Sequence, residues 1–309
     1  MNLETLFQKV KKQPTETVAV AHAVDPSVFL TAERAIEEDI ASFIFTGPRE
    51  EMEKAAKKAG FSFRHDPRVQ WINTPDENSS ANKAIELIKE HHASVLMKGM
   101  LPTAVLLKAV LKKEGGLRTG NILSHVAGFS LPHRNKLLFI TDSAMNISPD
   151  LTDKTAIVQN AVTAVKRMGV SKPKVAILAA VETVNTNMPA TLDAASLVQM
   201  SKRGQINDCV IDGPLGFDSA VSTEAAEQKN IQSSVAGQAD ILLVPSIEAG
   251  NILYKSLTYF AGATVGGLLV GARAAVVVSS RSDSVDSKLF SLAMAISTKI
   301  SKKSITQGE

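Results

Sequence analysis

A chain of 309 residues, 44% hydrophobic and 21% charged, carries apolar material for two ordinary domains or one large α/β unit, and its composition excludes a disordered chain. The 34 basic and 31 acidic residues are spread along the sequence with only 5% aromatics, which excludes the basic stripe and stacking platforms of a nucleic-acid binder. Cys209 is the single cysteine, so an intrachain disulfide and a cysteine metal cluster are excluded, and a reducing cytoplasm is the expected compartment.

In chain order, the opening MNLETLFQKVKKQPTE scatters charge where a secretory signal needs a continuous apolar core. Short β-rich runs then predict strands at 17–21, 42–45, 94–97, 136–141, 174–179, 209–212, 241–244 and 274–278. Helical spacing predicts helices at 26–38, 49–59, 79–91, 102–113, 153–168, 192–203, 222–228, 249–260 and 284–300. This alternation predicts an α/β fold with a largely parallel sheet. The polar, glycine-containing LRTGNILSHVAGFSLP at 117–132 reads as a passage between two lobes. The stretch 261–278 comes nearest to a membrane span, but Gly262, Gly266, Gly267, Gly271 and Arg273 interrupt it, and it reads as core. No membrane partner is expected.

Several predicted strands end in polar, turn-forming segments. In an α/β sheet such exits face ligands, and the N–H groups of the following helix favour anions. The strongest is AAVVVSSRSDSVDSKLF at 274–290, where a buried-type run ends in Ser279, Ser280, Arg281, Ser282 and Asp283. An Arg fork there suits phosphate or carboxylate. After the strand at 94–97, Lys98, Gly99 and Thr103 offer an ammonium, a close backbone approach and a hydroxyl. Asp142, Ser143 and Asn146 follow the strand at 136–141, and Asp212 and Gly213 end the one at 209–212. Each exit taken alone is equally well an ordinary cap or Asx turn.

Other chemistry lacks its signature. Gly250 with Lys255-Ser256 has Tyr254 where a phosphate-binding P-loop needs glycine, no G-x-G-x-x-G follows a first strand, and no H-E-x-x-H or G-x-S-x-G is present. Cys209 opens a predicted buried strand, where a thiol behaves as a small apolar group.

Together, KGMLPTAVLLKA at 98–109, TDSAMNISPDL at 141–151, DGPLGFDSAVS at 212–222, PSIEAGNILYKSL at 245–257 and SSRSDS at 279–284 resemble the phosphate acyltransferases over nearly the whole chain. The resemblance implies reversible transfer of a short-chain acyl group, butyryl before acetyl, between coenzyme A and inorganic phosphate. It implies no tightly bound cofactor and no metal, because coenzyme A and its thioester are substrates, and it implies a homodimer or higher homo-oligomer. The implied fold is similar to isocitrate and isopropylmalate dehydrogenases: two α/β/α lobes around a cleft, 1–121 plus 270–309 forming the first and 122–269 the second.

The family's catalytic serine and arginine fall on Ser280 and Arg281. Its aspartate seven positions after that serine falls on Ser287, with Asp283 and Asp286 as the neighbouring acids, so either is the expected base. Matching G-x-x-x-T-x-x-x-x-[RK] puts a phosphate-holding basic residue at Lys108, and Asn251 completes the expected substrate contacts. Phosphate would attack the thioester carbonyl directly in a ternary complex, with Arg281 and Lys108 or Lys98 orienting it and Ser280 bonding the oxyanion or the thiolate. Two readings from other classes stand beside this one: a metal-dependent decarboxylating dehydrogenase of the same fold, and a coenzyme A or acyl-phosphate binding module without catalysis.

Overall fold

The computed structural model describes residues 1–280 and 283–299, which divide into two compact units. One holds Glu4–Asn121 with the chain from Gly266 on, and the other holds Met1–Leu3 and Ile122–Val265.

The first unit begins with α1 (Leu3–Lys11), β1 (Glu16–Ala21), α2 (Pro26–Glu37), β2 (Ala41–Gly47), α3 (Arg49–Ala59), β3 (Val69–Asn73), α4 (Glu77–Lys89), β4 (Val95–Lys98) and α5 (Thr103–Val110). Local signals set these bounds. Asp25 caps α2 by accepting the Ser27 N–H with Pro26 at the first helical position, and Gly60 ends α3 at φ 69°, a left-handed cap that glycine takes without strain. The returning chain adds β10 (Thr264–Val270), β11 (Ala275–Val277) and α11 (Val285–Ser297).

Five strands run parallel in the order β3-β2-β1-β4-β11, with β10 antiparallel to β11. The chain steps outward from β1 to β3 and then returns past β1 to β4. Right-handed crossovers therefore put α4 on the face opposite α2 and α3. The packing agrees: α2 lies against α3 and α11, whereas α4 lies against α5. Phe29 of α2 stacks on Trp71 of β3 and meets Phe45 of β2 at ring separations of 5.5 and 4.8 Å. At Gly266 any Cβ would come within 2.8 Å of the Phe290 ring and 2.9 Å of the Ser291 nitrogen, so α11 packs directly on the β10 backbone.

The second unit holds β5 (Ser124–Ser130), β6 (Leu138–Thr141), α6 (Leu151–Met168), β7 (Lys174–Leu178), α7 (Pro189–Lys202), β8 (Val210–Leu215), α8 (Phe217–Val221), α9 (Thr223–Gln228), β9 (Ile241–Leu243) and α10 (Ile247–Tyr259). Its order is β5-β6-β9-β7-β8, parallel except for β5 against β6. A reciprocal capping box of Asp150 and Asp153 starts α6. The buried Lys154 ammonium meets Asp193 of α7 at 2.5 Å.

The α/β class and the alternation match the expectation from sequence, with three strands and two helices added. The segment 117–132 is not simply a passage, because it contains β5. Its Ser124 and His125 are buried yet satisfied: the Asn160 amide donates to Ser124, and His125 Nδ1 shares a 3.0 Å hydrogen bond with the Ser143 hydroxyl. Polar residues thus occupy inward positions that an apolar pattern would normally mark. β3 and β10 also escaped the pattern, the first through its short mixed sequence VQWIN and the second through the glycines of TVGGLLV. α1 and α8 are the added helices. The helix expected at 284–300 is observed over Val285–Ser297, and Ile300 lies outside the described residues.

Candidate active site

In the first unit, β4 sends its helix to the face opposite the helices of its neighbours β1 and β11. Strand exits at such a reversal diverge and leave a crevice, the usual ligand position in open α/β sheets. The register makes this concrete. Ala21 pairs with Lys98 and Val277 with Met97, and continuing the second ladder two residues brings Ser279 to the level of Gly99.

Gly99 is required by close packing. Its N–H donates to the Ala21 carbonyl, the Met100 N–H donates to the His22 carbonyl, and a Cβ at Gly99 would lie 2.3 Å from that same His22 oxygen. Lys98 is only 9% exposed, and its ammonium donates to the Gly99 and Leu101 carbonyls at 3.2 and 3.1 Å. Thr103, exposed, opens α5. Lys108 lies in the last turn of that helix, about 7.5 Å along the axis from Thr103, on an exposed position.

Ser279 is buried and Ser280 exposed at the exit of β11. Ser280 N–H donates to Asp283 Oδ2 at 2.7 Å, and Asp283 N–H returns a bond to the Ser280 carbonyl at 3.2 Å. Asp283 therefore braces Ser280. Asp286 points elsewhere: it is 68% exposed and takes a 2.7 Å ion pair from Arg34 of α2. Ser287, at the family's aspartate position, gives its N–H to the α11 cap Ser284. Arg281 lies outside the described residues.

In the second unit, Asp142 and Ser143 are buried at the exit of β6. The Asp142 carboxylate accepts the Ala144 and Met145 N–H groups and the Asn146 amide, so Asp142 and Asn146 tie their own loop together. Burial pushes the His125 imidazole, the hydrogen-bond partner of Ser143, below its ordinary pKa against a smaller opposing pull from Asp142. Gly250 in the first turn of α10 lets that helix sit on this loop, since a Cβ there would be 2.9 Å from the Ser143 Cα, and Asn251 beside it is exposed. Asp212 accepts the Gly213 N–H, and Gly213 lies against Ile177 of β7.

Sequence reasoning missed three groups. Glu182, Asp218 and Lys229 form an ion-paired cluster after β7 and β8, with Lys229 2.7 Å from Glu182 and 2.9 Å from Asp218. The Lys229 and Ser219 donors hold Glu182 below the usual carboxylate range. His22, at the exit of β1, shares a hydrogen bond with Ser80. Lys288 is buried at the start of α11, and here a signal existed. KLFSLAMAI is apolar all round and so must be a buried helix, which takes its lysine inside with it. Cys209 is half-buried just before β8, less enclosed than expected, and its thiol is pushed up to about 11 chiefly by burial.

A buried ammonium, two serines and a carboxylate held against one of them, on adjoining parallel strand exits, define an α/β protein with a site suited to an anionic ligand. Residues 73–296 match the family described as Phosphate acetyl/butaryl transferase, and the chain belongs to that family of acyltransferases. It is 50% identical to the probable phosphate butyryltransferase of Bacillus subtilis, covering 96% of this chain and 97% of that one. It is 44% identical to the phosphate butyryltransferase of Clostridium beijerinckii over 95% of this chain and 96% of that one. The crystal structure of a branched-chain phosphotransacylase from Enterococcus faecalis superposes with a TM-score of 0.81 at 35% identity, covering 92% of this chain and 99% of that one.

Proposed function

We propose that the protein is a phosphate butyryltransferase, moving a butyryl group reversibly between coenzyme A and inorganic phosphate. The observation that carries this reading is the 50% identity to the Bacillus relative across 96% of the chain. The β4 and β11 exits supply chemistry that suits it.

A phosphate oxygen attacks the thioester carbonyl carbon, the carbon–sulfur bond breaks, and coenzyme A leaves as thiolate and takes up a proton. Both reactants are anionic, so holding them together is the main task. Lys98 and Arg281 supply positive charge for phosphate, with Lys108 as the outlying cation. Ser280 donates to the developing oxyanion or the leaving sulfur. Of the two acids, Asp283 is the better base, because it is held against Ser280 while Asp286 is paired with Arg34. Direct attack needs no acyl-enzyme, which suits a Cys209 thiol raised to about 11.

Coenzyme A and its thioester are the substrates in this reading, and a cytoplasmic location is part of the proposal, in keeping with the single cysteine. Among the described residues no helix is long and apolar enough to cross a membrane. A homodimer is part of the reading, supported by Ile252, Tyr259 and Phe260, which are 66, 74 and 93% exposed on and just after α10. The deciding assay follows thiol release from butyryl-, isobutyryl- and acetyl-CoA with and without phosphate. Phosphate-dependent release fastest with butyryl-CoA supports the proposal, an acetyl preference replaces it with phosphate acetyltransferase, and no release rejects it.

A further inference from the structure

Lys288 sits where an ammonium is costly. It is 2% exposed, and it lies near the amino end of α11, where the helix dipole is positive and repels a cation. Leucine or methionine would fill the same space without either cost. Its contacts explain what the charge does. The Lys288 Nζ donates to the Asp283 carbonyl at 3.2 Å and to the Ser27 hydroxyl at 2.8 Å. Ser27 Oγ in turn donates to Asp25 Oδ2 at 2.7 Å, while its N–H donates to Asp25 Oδ1 at 3.0 Å. The buried charge is thus compensated through one hydroxyl by the carboxylate that caps α2.

We infer that Lys288 is a positioning residue that clamps Asp283, and with it Ser280, to the amino end of α2 through Ser27 and Asp25. Asp283 is gripped twice: its side chain holds the Ser280 N–H, and its carbonyl is held by Lys288. The first bond only joins Asp283 to Ser280 and leaves the pair unanchored. The second anchors it to a rigid helix, which sets where Ser280 presents its hydroxyl. The catalytic consequence rests on the acyl-transfer reading given above; the clamp itself does not.

Two variants and two readouts test this. In Lys288→Met, hydrogen exchange at the Ser280 and Asp283 amides should accelerate roughly tenfold or more relative to the α11 interior, because the pair is no longer anchored. In the same variant kcat for phosphate-dependent thiol release should fall about tenfold or more with KM for butyryl-CoA within roughly twofold, the mark of lost alignment. Ser27→Ala removes the hydroxyl that joins Lys288 to Asp25, leaves the Lys288–Asp283 bond and the Asp25 cap on the residue 27 N–H in place, and should move both quantities in the same direction by a smaller factor; it decides the question if Lys288→Met does not fold. Unchanged exchange in the folded variants overturns the clamp whatever the activity. Faster exchange in a protein whose wild type releases no thiol supports the clamp and rejects the acyl-transfer reading instead.

Discussion

Asp283 and Ser280 exchange two hydrogen bonds: the Ser280 N–H donates to the Asp283 carboxylate at 2.7 Å and the Asp283 N–H donates to the Ser280 carbonyl at 3.2 Å. Asp286, three residues on, is paired with Arg34 on the surface. The two acids are therefore not equivalent. Asp283→Ala should lower kcat by about two decades through loss of both brace and base. Asp286→Asn should leave kcat within about twofold and stability within roughly 1 kcal/mol, since exposed ion pairs contribute little. Steady-state kinetics and urea melts of the two variants check this, and the reverse ranking would move the base to Asp286.

Ser280 is exposed, so replacing it should cost little in folding. As an oxyanion or thiolate donor it is expected to contribute about 3 kcal/mol to the transition state, so Ser280→Ala should reduce kcat by roughly two to three decades. A variant with an unshifted melting temperature and full turnover removes the residue from the mechanism.

The α/β class and most elements were legible in the sequence because β-branched runs such as VAVA before His22 and helical spacing in 153–168 are local signals. β5 was hidden because Ser124 and His125 satisfy each other's surroundings inside the unit through Asn160 and Ser143, and hydrogen bonding leaves no periodic trace. The site residues divide in the same way. Lys98, Gly99, Ser279 and Ser280 could be placed on strand exits from pattern alone. The occupation of Asp142 by Asn146 and its own loop, and of Asp286 by Arg34, depends on partners that spacing does not reveal. Lys288 is tied to Ser27, 261 positions away in the chain, a pairing visible only after folding.

Gly99 carries a packing requirement that can be tested separately from chemistry. A methyl group there would stand 2.3 Å from the His22 carbonyl oxygen and 2.6 Å from that of Ala21, both held in backbone hydrogen bonds. Gly99→Ala should destabilise the protein by about 2 to 3 kcal/mol and displace the Lys98 exit. Urea unfolding reads the first effect and the KM for phosphate the second; wild-type values for both would show that the backbone yields there at no cost.

The thiol of Cys209 offers a contrast in reactivity. At a pKa of about 11, only about one thiol in a thousand is ionised at pH 8, against a sizeable fraction for an ordinary cysteine. Iodoacetamide should therefore label the folded protein at pH 8 far more slowly than the urea-unfolded chain, and labelling should leave turnover intact. Rapid labelling accompanied by loss of turnover would return the thiol to consideration as a nucleophile.

His125 sets a direction for the dependence of stability on pH. Its folded pKa is lowered, mainly by burial, whereas in the unfolded chain it titrates near 6.5. Above about pH 6.5 both states are neutral and the group contributes no pH dependence. As pH falls below that value the unfolded chain takes up a proton that the buried ring resists, so the unfolded state binds more protons and stability declines. The Ser143 hydroxyl, 3.0 Å from Nδ1, is the ring's hydrogen-bond partner, and the nearby Asp142 only partly offsets the burial. Urea midpoints of the wild type should consequently drop between about pH 6.5 and 5. His125→Asn, less stable at pH 8 for loss of packing, should show a flatter profile over that interval, and parallel profiles for the two proteins would show that other groups govern the acid limb.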